Sequence, residues 1–222
     1  MRVLLVDLGP LIKGGRSSAL LKGFLPRFSV TMGAPQPLEG RWIRWIPPCR
    51  GLKINSDGSF MDIMMRVGGL VRDDHGSVLI GLSAFYSAGN ALGAEVRALL
   101  TRLDLCNRFN VVVGEIESDC KTLIRILQGT ADPPWDLEYH IMKCKLHIKQ
   151  GSTVGHVRRE WNFLADGLAR AGRADGDIII FSTIGSLPLN FKRTIKGDAL
   201  GLHQFRPHWP SFLFCKLCLF DS

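Results

Sequence analysis

Four acidic residues occupy places where a folded chain has little reason to keep a negative charge. Glu95 lies three residues after Leu92 and four before Leu99, so on a helix it projects from the apolar stripe that must face the core. A carboxylate there is costly to bury unless a cation or a metal ion meets it. Arg97 and Arg102 could form an ion pair with it, but both are expected to leave the helix on other faces. Asp57 ends the alternating run LKINSD, Asp119 ends the β-rich run VVVGEIESD, and Asp166 falls in the first turn of NFLADGLARAG. Each of these three has an ordinary reading as well: Asp57-Gly58 is a strong hairpin-turn pair, Asp119 would cap the helix that follows, and an acid in a first helical turn favours the dipole. If the four converge, they repel one another, and a divalent cation relieves the repulsion. Oxygen-only ligands select hard ions, magnesium or manganese, over zinc. Two such ions about 4 Å apart suit in-line attack on a phosphodiester.

The elements that must position these residues can be read from periodicity. LKINSD (52–57), VGGLVRD (67–73) and SVLIGLSAF (77–85) are strand-like, the last two separated by Asp74-His75-Gly76, a hairpin signal. Leu92, Val96, Leu99, Leu103 and Cys106 recur at three or four residues, which predicts a helix of about four turns. VVVGEIESD (111–119) is the fourth strand, followed by short helices over 120–128 and 136–150. STVGHVRRE (152–160) is the fifth strand, and 162–172 the closing helix, with Asn162 at its start. The expected architecture is α/β, a five-stranded mixed sheet flanked by helices.

With 222 residues, one domain with extensions is expected rather than two. The formal charge is +8, but residues 41–176 hold 18 Lys and Arg against 15 Asp and Glu, so much of the excess lies in the flanks. A basic balance suits a protein that meets a polyanion. Six scattered cysteines suit reduced thiols inside the cell, in nucleus or cytoplasm, rather than a disulfide framework. Cys215-Lys-Leu-Cys218 with His203 and His208 matches no common zinc spacing. No apolar run has the roughly 18 uncharged residues of a membrane span.

Several blocks, in order, carry a family resemblance: RWIRWIPPCRGLKINSDGS, VGGLVRDDHG, GAEVRALL, IESDC and HVRREWNFLADGLAR. In these the chain resembles the plant ribonuclease H-like domain of non-LTR retrotransposon origin, a relative of type 1 ribonuclease H. IIIFSTIGSLPLNFKRTIKGDALG is similar to that family's extension after the last helix, so the likeness spans roughly residues 41–201. It implies a ribonuclease H-like fold over 41–176, with a lead-in over 41–51 and an extension over 177–201. Residues 1–40 are expected to be a disordered flank, and 202–222 match nothing recognised.

The resemblance also implies a function, the metal-dependent cleavage of the RNA strand of RNA/DNA hybrids. Asp57, Glu95, Asp119 and Asp166 would hold two magnesium ions, with manganese as a substitute. His156 would assist proton transfer or product release, and Gly58, Ser59 and Asn162 would meet the substrate. Glu115 and Glu117 share the strand face of Asp119, and the ESD pattern favours Asp119. No membrane and no protein partner is implied. Where the family has a Gly/Asn/Pro-rich loop after DGS, this chain has FMDIMMRV. That departure supports an alternative, a nucleic-acid-binding module of the same fold that holds its ligand without cutting it.

Overall fold

A computed structural model describes residues 40–61, 63–87, 89–171 and 178–207. The expected N-terminal flank and most of the unassigned tail, with Cys215 and Cys218, lie outside them. Among the described residues, the strands are β1 (Gly40–Ile43), β2 (Leu52–Met61), β3 (Met64–Arg72), β4 (Val78–Ser87), β5 (Val113–Ser118), β6 (Thr153–His156), β7 (Ile179–Phe181) and β8 (Gln204–Pro207). The helices are α1 (Ala91–Arg108), α2 (Lys121–Leu127), α3 (Glu138–His147), α4 (Phe163–Arg170) and α5 (Leu189–Ala199), with a 3-10 turn at Ile184–Ser186.

The main sheet has six strands in the order β6-β5-β2-β3-β4-β7. β2, β3 and β4 form an antiparallel meander, while β5 and β6 run parallel to β2. The mixed sheet is the expected one, but the strand count is not. β7 adds a sixth strand antiparallel to β4, built from the stretch read as an extension. A run of three residues, Ile-Ile-Phe, is too short to display a period, so only its partner makes it a strand. β1 and β8 form a separate antiparallel pair.

Each face of the sheet carries its own core. On one side Ile54 and Ile116 pack with Leu99, Leu103, Leu123 and Ile141 from α1, α2 and α3. On the other, Leu70 packs with Leu164 and Leu168 of α4 and with Phe191 and Ile195 of α5. Burying a side chain of this kind contributes about 2 kcal/mol. α1 begins where the Asn90 side chain accepts a hydrogen bond from the Gly93 amide at 2.7 Å, an N-cap one turn ahead of Glu95.

The second correction concerns the DG pair. The strand does not end at Asp57. β2 continues through Met61, which pairs with Met64 of β3, and Ile63 between them lies in the left-handed region at φ 62°. Asp57 pairs with Gly68 and Gly58 with Val67, in the middle of the antiparallel ladder. FMDIMM is therefore two strand ends and a tight turn rather than a loop. Phe60, Met61, Met64 and Met65 have the β propensity or the shape to extend the ladder, and nothing in the run breaks it.

Gly58 has another purpose. A Cβ there would overlap the backbone of Ala94 and Glu95, so the first turn of α1 rests directly on the strand. Gly68 does the same on the other face, where a Cβ would overlap the backbone of Leu168 and Ala169. Two glycines in neighbouring strands thus seat the two helices that carry Glu95 and Asp166.

A buried polar network ties the lead-in and the extension to the sheet. Lys53 pairs with Glu115 at 2.9 Å and Glu117 at 2.7 Å. Glu117 also accepts from Asn55, Asn55 accepts from Arg72, and Arg72 pairs with Asp198 of α5 at 2.9 Å. The Arg72 guanidinium lies 4.2 Å from the ring centre of Trp45, which covers it. Glu115 and Glu117 are accounted for by this network.

Candidate functional site

Asp57 reaches the site from the middle of β2, Asp119 from the residue after β5, and Glu95 from the second turn of α1. β2 and β5 are adjacent parallel strands, so Asp57 and Asp119 lie on neighbouring chains with Glu95 brought in by the close seat on Gly58. Asp57, Glu95 and Asp119 each offer a carboxylate oxygen, and these oxygens all lie within 4.8 Å of one another. Asp57 is buried, while the other two are half-buried.

Around the three acids the polar contacts are specific. The Gly58 amide donates to the Glu95 carboxylate, and Ser118 stands 3.5 Å from its Oε2. Asn162, buried just before α4, donates from Nδ2 to the Ser56 carbonyl and to Asp119 Oδ1, both at 2.8 Å. Those two acceptors fix the amide's orientation, which leaves its Oδ1 buried without a partner. The side chain makes no cap hydrogen bond to α4. Its contacts make it a brace for Asp119, a role the sequence did not suggest.

Asp166 stands differently. Its Oδ1 accepts from Arg159 at 3.2 Å and from Arg170 at 3.0 and 3.2 Å. It lies outside the close group of three, although its charge is felt at Asp57. The expectation of four uncompensated acids is thus corrected: three are crowded and the fourth is held by two guanidinium groups. His156 ends β6, exposed and paired in register with Ser118, one residue before Asp119. Ser59 is half-buried within β2, two residues beyond Asp57.

Arg102 was missed. It is fully buried, its Nη1 donating to the Ala98 carbonyl and its Nη2 to Leu82 at 3.4 Å. Burial pushes its pKa down to about 9, and Asp57 is the largest of the charges opposing that fall. It follows Glu95 by seven residues, two helical turns, and so shares that face rather than leaving it. The spacing contained the signal.

The electrostatics express the crowding. Burial, followed by the charge of Asp119, pushes the Glu95 carboxyl up to about 8. The Asp57 carboxyl is held well above its ordinary value by burial first, then by Glu95, Asp119 and Asp166. An acid with a raised pKa holds its proton more tightly when folded, so stability falls as pH rises from the ordinary value through the folded one. For Glu95 the window runs from 4.5 to about 8. In EDTA the melting temperature should drop across that window, by the equivalent of about 2 kcal/mol once screening at a half-open site is allowed for. Millimolar magnesium should restore it near pH 8 and change little near pH 5. A flat melting profile, equal with and without magnesium, would remove the case for a crowded cation site.

The donor set fits a hard divalent cation. It is all oxygen, it carries more negative charge than its described neighbours cancel, and it includes no thiolate or imidazole within the group.

Comparison with known proteins agrees with this geometry. Residues 55–172 match the family described as reverse transcriptase-like. An Arabidopsis thaliana protein named for ribonuclease H is 30% identical over 146 residues, 64% of this chain and 24% of that protein. The chain thus spans about a quarter of that relative's length. Among solved structures, LC11-RNase H1, isolated from compost and determined in complex with an RNA/DNA hybrid, superposes with a TM-score of 0.51 at 23% identity. That match covers 55% of this chain and 95% of the other, and the shared fold is ribonuclease H-like.

Proposed function

From a chain that belongs to the reverse transcriptase-like family, we infer a metal-dependent endonuclease that cleaves the RNA strand of RNA/DNA hybrids, using magnesium. One observation supports this reading above the others: Asp57, Glu95 and Asp119 crowd their oxygens within 4.8 Å where β5 ends beside the middle of β2. The names of the Arabidopsis relative and the compost enzyme supply the substrate class by analogy. In the proposed reaction a water oxygen bonds to phosphorus while the bond to the 3'-oxygen breaks, which leaves 3'-hydroxyl and 5'-phosphate ends.

Magnesium, when bound, would supply Lewis-acid charge that lowers the pKa of water and stabilises the leaving oxygen. The chain's own residues do the rest. Asp57, Glu95 and Asp119 would hold the cation, with Asn162 fixing Asp119 and the Gly58 amide fixing Glu95. Asp166, whose Oδ1 is held by Arg159 and Arg170, would hold a second cation with these guanidiniums beside it. His156, exposed at the end of β6 opposite Ser118, would take or give a proton at the rim.

The hold of Arg159 and Arg170 on Asp166 also favours a second reading, a hybrid-binding module that does not cut. A labelled RNA/DNA hybrid incubated with the purified chain decides between them. Nicking of the RNA strand in magnesium, abolished by EDTA and by Glu95→Gln, is the expected result. Binding without nicking selects the second reading, and cleavage that survives both treatments removes the metal mechanism.

A further inference from the structure

Arg66 lies in β3 directly opposite Ser59 of β2, with Gly68 opposite Asp57. Side chains alternate along a strand, so Asp57, Ser59, Arg66 and Gly68 share one face. That face is the one α4 covers, because Gly68 lies against the backbone of Ala169. Met65, next to Arg66, points the other way, its sulfur lying against Gly89 and Gly93 at the start of α1. Along the strand Ser59 is about 7 Å from Asp57, and the cross-strand step to Arg66 adds about 5 Å, so the guanidinium can reach the rim of the acidic site.

This arginine is half-buried, and its Nε is buried with no hydrogen-bond partner. It makes no ion pair among the described residues. Its position thus differs from those of Arg159 and Arg170, which are committed to Asp166. A planar donor fork, partly desolvated and uncommitted, suits a phosphate oxygen better than an ammonium would. A nucleic-acid strand whose scissile phosphate met the three acids would carry a neighbouring phosphate roughly 6 to 7 Å away, within the same reach.

We propose that Arg66 is a substrate-binding residue that grips a backbone phosphate next to the scissile one and so sets the strand's register over the acids. This rests on the hybrid-nuclease reading of the site. The test measures hybrid affinity by fluorescence anisotropy in EDTA, where no cutting occurs, from about 50 to about 200 mM salt. Arg66→Gln should bind about tenfold more weakly, and its plot of log affinity against log salt should flatten by about one charge. Arg66→Lys should keep the wild-type slope and recover part of the affinity.

Weaker binding with an unchanged slope would mean a packing role and would overturn the proposal, as would unchanged affinity. A Gln variant with a lowered melting temperature leaves the Lys variant to decide, since it keeps the charge. Lost slope in that variant as well would overturn the proposal. A wild-type chain that cuts the hybrid while Arg66→Gln binds normally sinks only the Arg66 assignment. A wild-type chain that neither binds nor cuts sinks both this assignment and the reading beneath it.

Discussion

The Asp57→Asn chain should lose hybrid cleavage by about a thousandfold or more and yet melt at a higher temperature than the parent. The two effects have one origin. Asp57 is the most buried of the three crowded acids, and its carboxyl is held well above the ordinary value of 3.8 by burial first and then by the other acids. Near neutral pH the folded protein must therefore either keep a proton on this group or bear its buried charge, and both destabilise the fold relative to the open chain. The amide has nearly the same shape and removes that penalty, which adds stability on the order of 1 kcal/mol or more and raises the melting temperature by several degrees. Asn cannot offer the charge that a hard cation needs, so the proposed activity disappears. The stability gain should be present at pH 8 and vanish near pH 3, where the carboxyl in either state is largely protonated. Melting curves at both pH values and a gel assay on a labelled hybrid check the pair of outcomes. Full cleavage by the variant would refute the assignment of Asp57, and a lower melting temperature at pH 8 would refute the account of its burial.

Gly68→Val should leave little folded protein at room temperature, a loss of about 4 kcal/mol or more. Any side chain at this position enters the backbone of Leu168 and Ala169, where α4 crosses β3. Backbone cannot give way as a flexible side-chain end can. The helix must lift, exposing Leu164 and Leu168, which form the second core with Leu70, Phe191 and Ile195. It also carries Asp166 and follows Asn162, so the brace on Asp119 goes with it. Gly155→Ala is the matched control, since nothing lies near the position a Cβ would take in β6. Circular dichroism melts of the two variants should differ by more than 10 °C on the scale expected for a domain of this size. Similar melts would show that α4 is not seated as described.

The spacing of residues made part of this site legible. Glu95 was conspicuous because a helix stripe is a strict geometric template, and a carboxylate inside it violates the template. Asp119 was visible as the end of a strand whose period is strict as well. The end of β2 was misread for the opposite reason. Asp-Gly carries a strong local turn preference, but the preference is worth less than nine ladder pairs with β3, which run from Lys53 to Met61. Arg102 shares the face of Glu95, since seven residues return a helix almost to its starting direction. The pairing of Asp166 with Arg159 and Arg170 had a local part, because Arg170 is one helical turn on, and a non-local part that depends on how the 157–162 segment folds back. β7 and the link from Arg72 to Asp198 are tertiary facts, set by contacts more than 90 residues apart, and no local period announces them.

β1 and β8 pair residue by residue, Gly40 with Pro207 and Ile43 with Gln204. The first and last strands of the described residues thus form one two-stranded doorway, with Gly40 and Pro207 a single strand spacing apart, about 5 Å. A fold cut at those two points could be spliced into a surface turn of another protein without prying its host open, and the two points could be joined and a new opening cut elsewhere. Both operations are forms of portability, and the doorway would make this fold easy to move between longer polypeptides.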